Sequence, residues 1–398
     1  MFKANDLKRK LKQVGLQQIV IVALSSLLMI SIFATIITTS NYKNTNIKLT
    51  ASNTNLTLML ENVRQEIENL KSTDQIKRND DLQAEIINIQ KTYNQALGVY
   101  EKLLDFRDKT KNTTSLDAKF AQSLSKLSNK DYELASTLLR QITSEIVTKE
   151  QEIAAAFVIP DNTVESTIPP ASGYSRQTVP TAIGNYLVSL VAADSATTRV
   201  VIDTASNNNC TSDCPVLSLA DYVARNGAYA GINGTYFCPA SYPSCTGKTN
   251  SFDLLVMNKD KTYFNSDNNI YSSNPGVIFG NGFVRFVSSI SQWGRDTSVN
   301  GVISNFPLLV FNNNSFAGDD DPKKGSKAGR SFVANKGNTV YIGIVHNSTV
   351  AEAATVLTAM GMENAINLDS GGSTALWSGG YKTGPGRDIP NAILFLSK

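Results

Sequence analysis

The chain reads as an α+β protein: a strand-rich mixed domain with few short helices, carried behind a single N-terminal transmembrane helix and an α-helical or coiled-coil stalk. Three observations predict this. An uncharged apolar run extends from Ile19 to Ile37. Proline is absent and helix-favouring polar residues dominate from about 44 to 157. Beyond Thr181, short apolar runs alternate with Asn/Gly/Ser turns.

Composition sets the outer bounds. With 398 residues, 41% hydrophobic and 18% charged, the chain is long enough for one sizeable core plus accessory segments. A formal charge of +3 is close to balance, which removes the basic face that nucleic acid requires. The basicity is local: Lys3, Lys8, Arg9, Lys10 and Lys12 lie in a tail over 1–18. The run that follows, 19–38, has the roughly 20 residues a bilayer-spanning helix needs, and its positive flank stays in the cytoplasm. A cleaved signal peptide is the rival reading. The run exceeds a usual h-region, however, and only Thr38-Thr39-Ser40 follows it, with no A-x-A-like site. We therefore expect a retained single-pass anchor in the cell membrane, with Ile19 to Ile37 in lipid and all later residues extracytoplasmic.

The stalk, 44–157, carries two apolar stripes stepping by three and four. One is Leu56, Leu60, Val63, Ile67 and Leu70; the other is Ile86, Ile89, Tyr93, Ala96, Tyr100 and Leu103. Such stripes mark a coiled coil or a long helical hairpin, and the stalk makes a second copy of this chain a candidate partner. The pattern lapses around Ser72 to Asp81, and a further helix is expected from about Lys130 after Ser128-Asn129. Pro160, Pro169, Pro170 and Pro180 give 158–180 the composition of a linker. The domain proper is 181–398. Its strands are expected at Tyr186 to Val191, Arg199 to Ile202, Gly276 to Phe279, Phe283 to Val287, Leu308 to Phe311, Ser331 to Ala334 and Val340 to Val345.

All four cysteines, Cys210, Cys214, Cys238 and Cys245, fall in one window of the exported part. Spacings of C-x3-C and C-x6-C suit zinc poorly, so two disulfides are expected, in one of three connectivities. No EF-hand, P-loop or G-x-S-x-G element is present, no cofactor is called for, and no ligand motif supports a divalent cation. Asp319-Asp320-Asp321 reads as an exposed loop beside Pro322-Lys323-Lys324. The single histidine, His346, reads as a solvated loop residue that titrates near neutrality.

Two segments are built alike. Ser218-Leu-Ala-Asp221 and Thr349-Val-Ala-Glu352 each open a short helix in the manner of a capping box, and the helices stop at Asn226-Gly227 and Gly361. Each leads into a short strand, Ala228 to Ile232 or Ala365 to Leu368, and each strand ends in a glycine-containing polar turn. The turns are Asn233-Gly234-Thr235-Tyr236-Phe237 and Asp369-Ser370-Gly371-Gly372-Ser373-Thr374. Glycines at strand ends let the backbone approach a ligand and offer N–H groups to an anion.

"GINGTYF" followed far downstream by "NLDSGGST" resembles the phosphodiester glycosidase family, over roughly Thr181 to Lys398. Gly329-Arg330-Ser331-Phe332-Val333 stands where that family has an Arg-Thr-Ala-like element. Departures are Ser370 in place of a glycine, Ser331-Phe332 in place of Thr-Ala, and "GRDIPNAI" in place of a Glu-Arg-Pro-Val ending. The resemblance implies hydrolysis of a sugar 1-phosphodiester, with an N-acetylglucosamine-like sugar, to free sugar and a phosphate monoester. Cell-wall or exopolysaccharide polymers are candidate substrates. Phosphate is a weakly basic leaving group, so the site needs chiefly to neutralise it, stabilise an oxocarbenium-like sugar and orient the attacking group. On that basis Asp369 is the candidate base, nucleophile or charge stabiliser. Arg330 is the candidate phosphate ligand, through its bidentate fork, and Asn233 a hydrogen-bonding residue. Gly234, Thr235, Gly371, Gly372, Ser373 and Thr374 are candidate substrate contacts. Cys238, directly after the first loop, is placed to brace it. The alternative is a non-catalytic carbohydrate-binding or surface-adhesion module.

Overall fold

The N-terminal apolar run folds into helix, and the helix continues past its end. In the computed structural model, which describes residues 4–316, 318, 321 and 323–398, α1 runs unbroken over Ala4–Lys71. Lys3, Asp319, Asp320 and Pro322 lie outside the described residues. Between Ile19 and Ile37 the helix is apolar on every side and its side chains are exposed, so by length and composition it is able to cross a membrane. The lapse expected over Ser72 to Asp81 is only a two-residue break, because α2 spans Asp74–Arg107.

The chain divides into two compact units, Met1–Ile87 and Asn88–Lys398. The second takes in much of the region expected as stalk. α3 (Thr114–Ser128) and α4 (Tyr132–Ala155) pack on the C-terminal half of α2, burying Leu103, Phe106, Leu116, Leu139 and Ile142 to 1% exposure or less. Half of the second apolar stripe is thus used inside the unit: Ala96 and Leu103 are buried and Tyr100 stacks on Phe120, whereas Ile86, Ile89 and Tyr93 are exposed. α4 is capped by Asp131, whose side chain accepts the Leu134 N–H at 3.3 Å, rather than by Ser128-Asn129.

Part of the proline-containing segment 158–180 is likewise built into the sheet. Val164–Glu165 pairs with Gly173–Thr181, and Gly173–Thr181 pairs antiparallel with Gly184–Asp194 along its whole length. Pro180 is tolerated near the tip of this hairpin, and Val179 is fully buried.

Three sheets make up the rest of the second unit. The largest has eight strands and centres on Gly184–Asp194, Thr339–Ser348, Ala328–Lys336 and Asn364–Asn367. A five-stranded sheet runs Tyr381–Thr383, Leu376–Ser378, Ala230–Asn233, Asn391–Ser397, Thr198–Thr204, and another five strands centre on Gly301–Ser304. Period-two alternation sorts the core into layers. Val188, Leu190 and Ala192 face α6 (Val350–Ala359), while Val191 and Ala193 face a core shared by the sheets. On the second sheet Ile393 and Phe395 enter that shared core, while Leu394 and Leu396 lie under α5 (Leu219–Asn226). Helix, sheet, sheet and helix are therefore stacked, and the two glycine turns lie where strands of the two sheets end.

Candidate active site

Both helix starts form as the sequence specifies. At α6, Thr349 Oγ1 accepts the Glu352 N–H and Glu352 Oε2 accepts the Thr349 N–H, at 3.2 and 2.7 Å. At α5, Ser218 Oγ accepts the Asp221 N–H at 3.2 Å, but the shorter Asp221 carboxylate takes the Ser218 hydroxyl, 2.7 Å, instead of reaching the backbone. The strands that follow, Ala230–Asn233 and Asn364–Asn367, belong to different sheets, and their ends are tied together. Asn233 Nδ2 donates to the Asp369 carbonyl at 2.6 Å, and the Asp369 N–H donates to the Gly234 carbonyl at 2.9 Å. Asn233 Oδ1 accepts from Ser331 Oγ at 3.0 Å and from the Ala375 N–H at 3.1 Å. This fully buried amide is a strut joining three segments.

It is one of four fully buried asparagines at strand ends, with Asn305, Asn367 and Asn391. Asn391 brackets Thr235, accepting its N–H and donating to its Oγ1, each at 2.9 Å. Asn305 accepts the Tyr236 N–H at 3.1 Å and donates to the Asn367 carbonyl at 2.8 Å. Asn367 donates to the Tyr236 hydroxyl at 2.6 Å. An amide suits a strand end because it carries a donor and an acceptor to groups the ladder no longer pairs. Gly234 is dictated by this network, since a Cβ there would lie 1.9 Å from Asn391 Oδ1. Gly234 and Thr235, expected as substrate contacts, are thus bonded inward.

The second turn is different. Asp369 is partly buried, and its Oδ1 accepts the Ser370 N–H at 2.9 Å. Burial pushes its carboxyl up to about 6; the Ser373 hydroxyl, the Arg387 guanidinium, the Ser370 N–H and Lys323 all pull the other way and are outweighed. Burial, and next the charge of Asp369, hold the Tyr236 hydroxyl above its ordinary range. Gly371 is exposed with φ +70°, and Thr374 Oγ1 donates to the Gly329 carbonyl at 3.1 Å. Among the polar side chains of this turn, Ser373 is the one that acts on the Asp369 carboxyl.

The arginine whose field acts on Asp369 is Arg387. Its backbone N–H donates to the Gly372 carbonyl at 2.8 Å, and its Nη2 lies 2.1 Å from where a Gly372 Cβ would sit. Arg330, by contrast, is 6% exposed and donates to the carbonyls of Ser348 (3.1 Å), Lys323 (2.8 Å), Lys324 (3.2 Å) and Ser326. It anchors the loop that bears Lys323. Two departures from the family pattern touch each other: the Ser331 N–H donates to Ser370 Oγ at 3.3 Å.

Other expectations resolve simply. The disulfides are Cys210–Cys214 and Cys238–Cys245, with Cα atoms 5.6 and 5.4 Å apart. The Cys238 N–H donates to the Ser251 carbonyl at 2.9 Å, fixing the exit of the first loop. His346 is on the Thr339–Ser348 strand rather than in a loop, with Nε2 2.9 Å from Ser189 Oγ, and burial beside Arg176 pushes it down to about 4. It is neutral at physiological pH. Among the described residues no three His, Cys, Asp or Glu side chains gather as a metal site. Arg387 escaped the motif comparison because its "GRDIPNAI" setting resembles the family ending only loosely. Four asparagines at the edges of apolar runs were the legible trace of the strut network.

Residues 226–396 match the model of the phosphodiester glycosidase family. No curated protein matches the chain. Among solved structures, the chain is similar to a hypothetical protein from Synechocystis, at 12% identity and a TM-score of 0.41, over 56% of this chain and 62% of that one. It is also similar to the catalytic domain of zebrafish N-acetylglucosamine-1-phosphodiester alpha-N-acetylglucosaminidase, at 12% identity and a TM-score of 0.45, over 59% and 87%. The stretch 226–396, which carries both glycine turns and Arg387, is a domain of the phosphodiester glycosidase family.

Proposed function

We propose that the chain is a membrane-anchored hydrolase that cleaves a sugar 1-phosphodiester outside the cytoplasm, releasing free sugar and a phosphate monoester. One observation carries the reading: a carboxyl raised to about 6, Asp369, belongs to an open glycine turn against whose Gly372 the guanidinium of Arg387 packs. Arg387 neutralises the departing phosphate, assisted by Lys323, and a bidentate fork suits that anion. The ionised Asp369 faces the sugar, where positive charge develops as the C1–O bond lengthens. A carboxyl half-ionised near pH 6 gives up its proton at little cost at neutral pH. N–H groups at the exposed Gly371-Gly372 turn serve the same phosphate. Asn233 and Arg330 act one layer out, holding the loops that bear Asp369 and Lys323. The helix through Ile19 to Ile37 holds the enzyme at the membrane, N-terminus inside, and the exposed Leu56–Leu70 stripe suits pairing with a second copy.

The test uses the full chain in detergent micelles under oxidising conditions, with an α-N-acetylglucosamine-1-phospho-alkyl diester as substrate. Free sugar should appear with the wild type and not with Asp369→Asn. Absence of release across a panel of sugar 1-phosphodiesters sinks the proposal.

A further inference from the structure

Three acids at the C-terminal end of α2, the last of them one residue past it, fasten the helix to the candidate active site. Glu101, Asp105 and Asp108 are spaced by four and three residues, which puts them on one helical face. Each holds a different group of the strand domain. Glu101 Oε1 accepts the Ser244 N–H at 2.8 Å, Asp105 accepts the Tyr242 hydroxyl, and Asp108 Oδ2 accepts from Arg387 Nη2 at 2.9 Å. Asp105 Oδ1 lies 3.9 Å from the same nitrogen. The Arg387 guanidinium stands over the Tyr242 ring, 5.5 Å from its centroid, and Lys323 Nζ is 5.8 Å from that centroid. Two more bonds pin the helices down: Lys109 Nζ to the Lys327 carbonyl at 3.3 Å, and Asn347 Nδ2 to the Ala154 carbonyl at 2.9 Å.

Stability alone explains this poorly, because solvent-bordering ion pairs contribute only about 0–1 kcal/mol each. Orientation explains it well. An arginine side chain is long and flexible, and a carboxylate on one edge with an aromatic ring on its face fixes the guanidinium plane. We propose that the acidic face of α2 is a positioning element of the active site. Asp108 sets Arg387 directly; Glu101 and Asp105 set it through the 242–245 loop that supplies the Tyr242 ring. The inference rests on the phosphodiester glycosidase reading above, and it makes the helical segment part of the enzyme and not a spacer.

The charged and titratable groups around Arg387 and Asp369 are Asp105 and Asp108 from α2, Tyr242, Lys323 and Tyr236, with Arg330 and Asp321 beyond. Four variants of the full chain in micelles test the proposal: Asp108→Asn, Asp108→Glu, the double variant Glu101→Gln/Asp105→Asn, and Glu145→Gln. The last breaks only the Lys119–Glu145 pair between α3 and α4. Asp108→Asn should lower kcat about tenfold or more, the scale at which a misoriented group is felt, and Asp108→Glu should recover most of it. The acid limb of the pH profile should shift to lower pH in Asp108→Asn, because one acid sharing the field of Arg387 is neutralised and Asp369 feels more of it. Glu145→Gln should do neither. A fall in kcat with an unmoved limb and no rescue by glutamate would mean packing only and overturns the proposal. A lower KM with unchanged kcat also overturns it, since Asp108 would then be a tethered competitor of the substrate. If the wild type itself releases no sugar, the functional reading has failed, and hydrogen exchange decides positioning. Glu101→Gln/Asp105→Asn must then speed exchange at 242–245 and 386–388 relative to Glu145→Gln, and unchanged exchange overturns it.

Discussion

The turn at Asn233-Gly234-Thr235 and the turn at Asp369-Ser370-Gly371-Gly372 are each reached through a capped helix and a four-residue strand, yet the first is enclosed and the second borders solvent. In the first, the polar atoms pair with Asn391 and with the partner turn. In the second, the space beyond Gly371 is open, and the acid beside it is desolvated enough to hold its proton up to about pH 6. What stands opposite the turn makes the difference: a buried asparagine of the last strand in one case, the Arg387 guanidinium in the other. A glycine after a strand marks a place for a site, and its neighbours decide whether that place is a joint or a reaction centre.

Four changes would break or sharpen this contrast. Asp369→Asn should cut turnover about 10³-fold, within the range for a positioned acid–base group, with the fold intact by circular dichroism. Gly234→Ala forces a methyl to within bonding range of Asn391 Oδ1 and should destabilise by about 3 kcal/mol in denaturant titrations. If both turns were mere joints, the first of these changes would do nothing and the second would still do damage.

The third concerns pH. The Asp369 carboxyl ionises near 3.8 when unfolded and near 6 when folded, so the folded state holds more protons between those values. Stability therefore falls as pH rises through that window, by on the order of 2–3 kcal/mol in full. Asp369→Asn removes this penalty. The inactive variant should be more stable than wild type above about pH 6 and gain nothing below about pH 4, as read from guanidinium midpoints. Activity runs oppositely, with kcat/KM rising through pH 6 as Asp369 ionises. The smallest effect belongs to Gly371→Ala, where φ of +70° makes a side chain cost about 1 kcal/mol while the fold stays closed.

Much of this was legible in the sequence, for physical reasons. Gly276–Phe279 and Leu308–Phe311 coincide with runs recognised from apolar residues between turns, which is enough where a strand is buried on both faces. Both capped helices and both turns were readable because they depend on neighbours within four residues. Gly173–Thr181 was not, because its proline and hydroxyls suit a linker and its pairing comes from the strand that follows. Arg387 was in plain view within "GRDIPNAI", but its role depends on Asp108, 279 residues away. The same holds for Glu101, Asp105 and Asp108: local patterning cannot reveal a partner so distant in the chain.

The strand Asn391–Ser397 lies between Thr198–Thr204 and Ala230–Asn233, and its first residue holds the Gly234 turn from 156 residues downstream of Thr235. Synthesis runs from the N-terminus, so two strands of this sheet leave the ribosome long before the one that joins them. The sheet, its strut of asparagines and the carboxyl they steady can close only after residue 397 has emerged. Until then the nascent domain carries open strand edges that must be kept from pairing wrongly. The two turns then come together late in maturation, and a premature stop beyond Trp377 would leave a chain with most of its mass but without Arg387, Asn391 or the strand that joins the sheet.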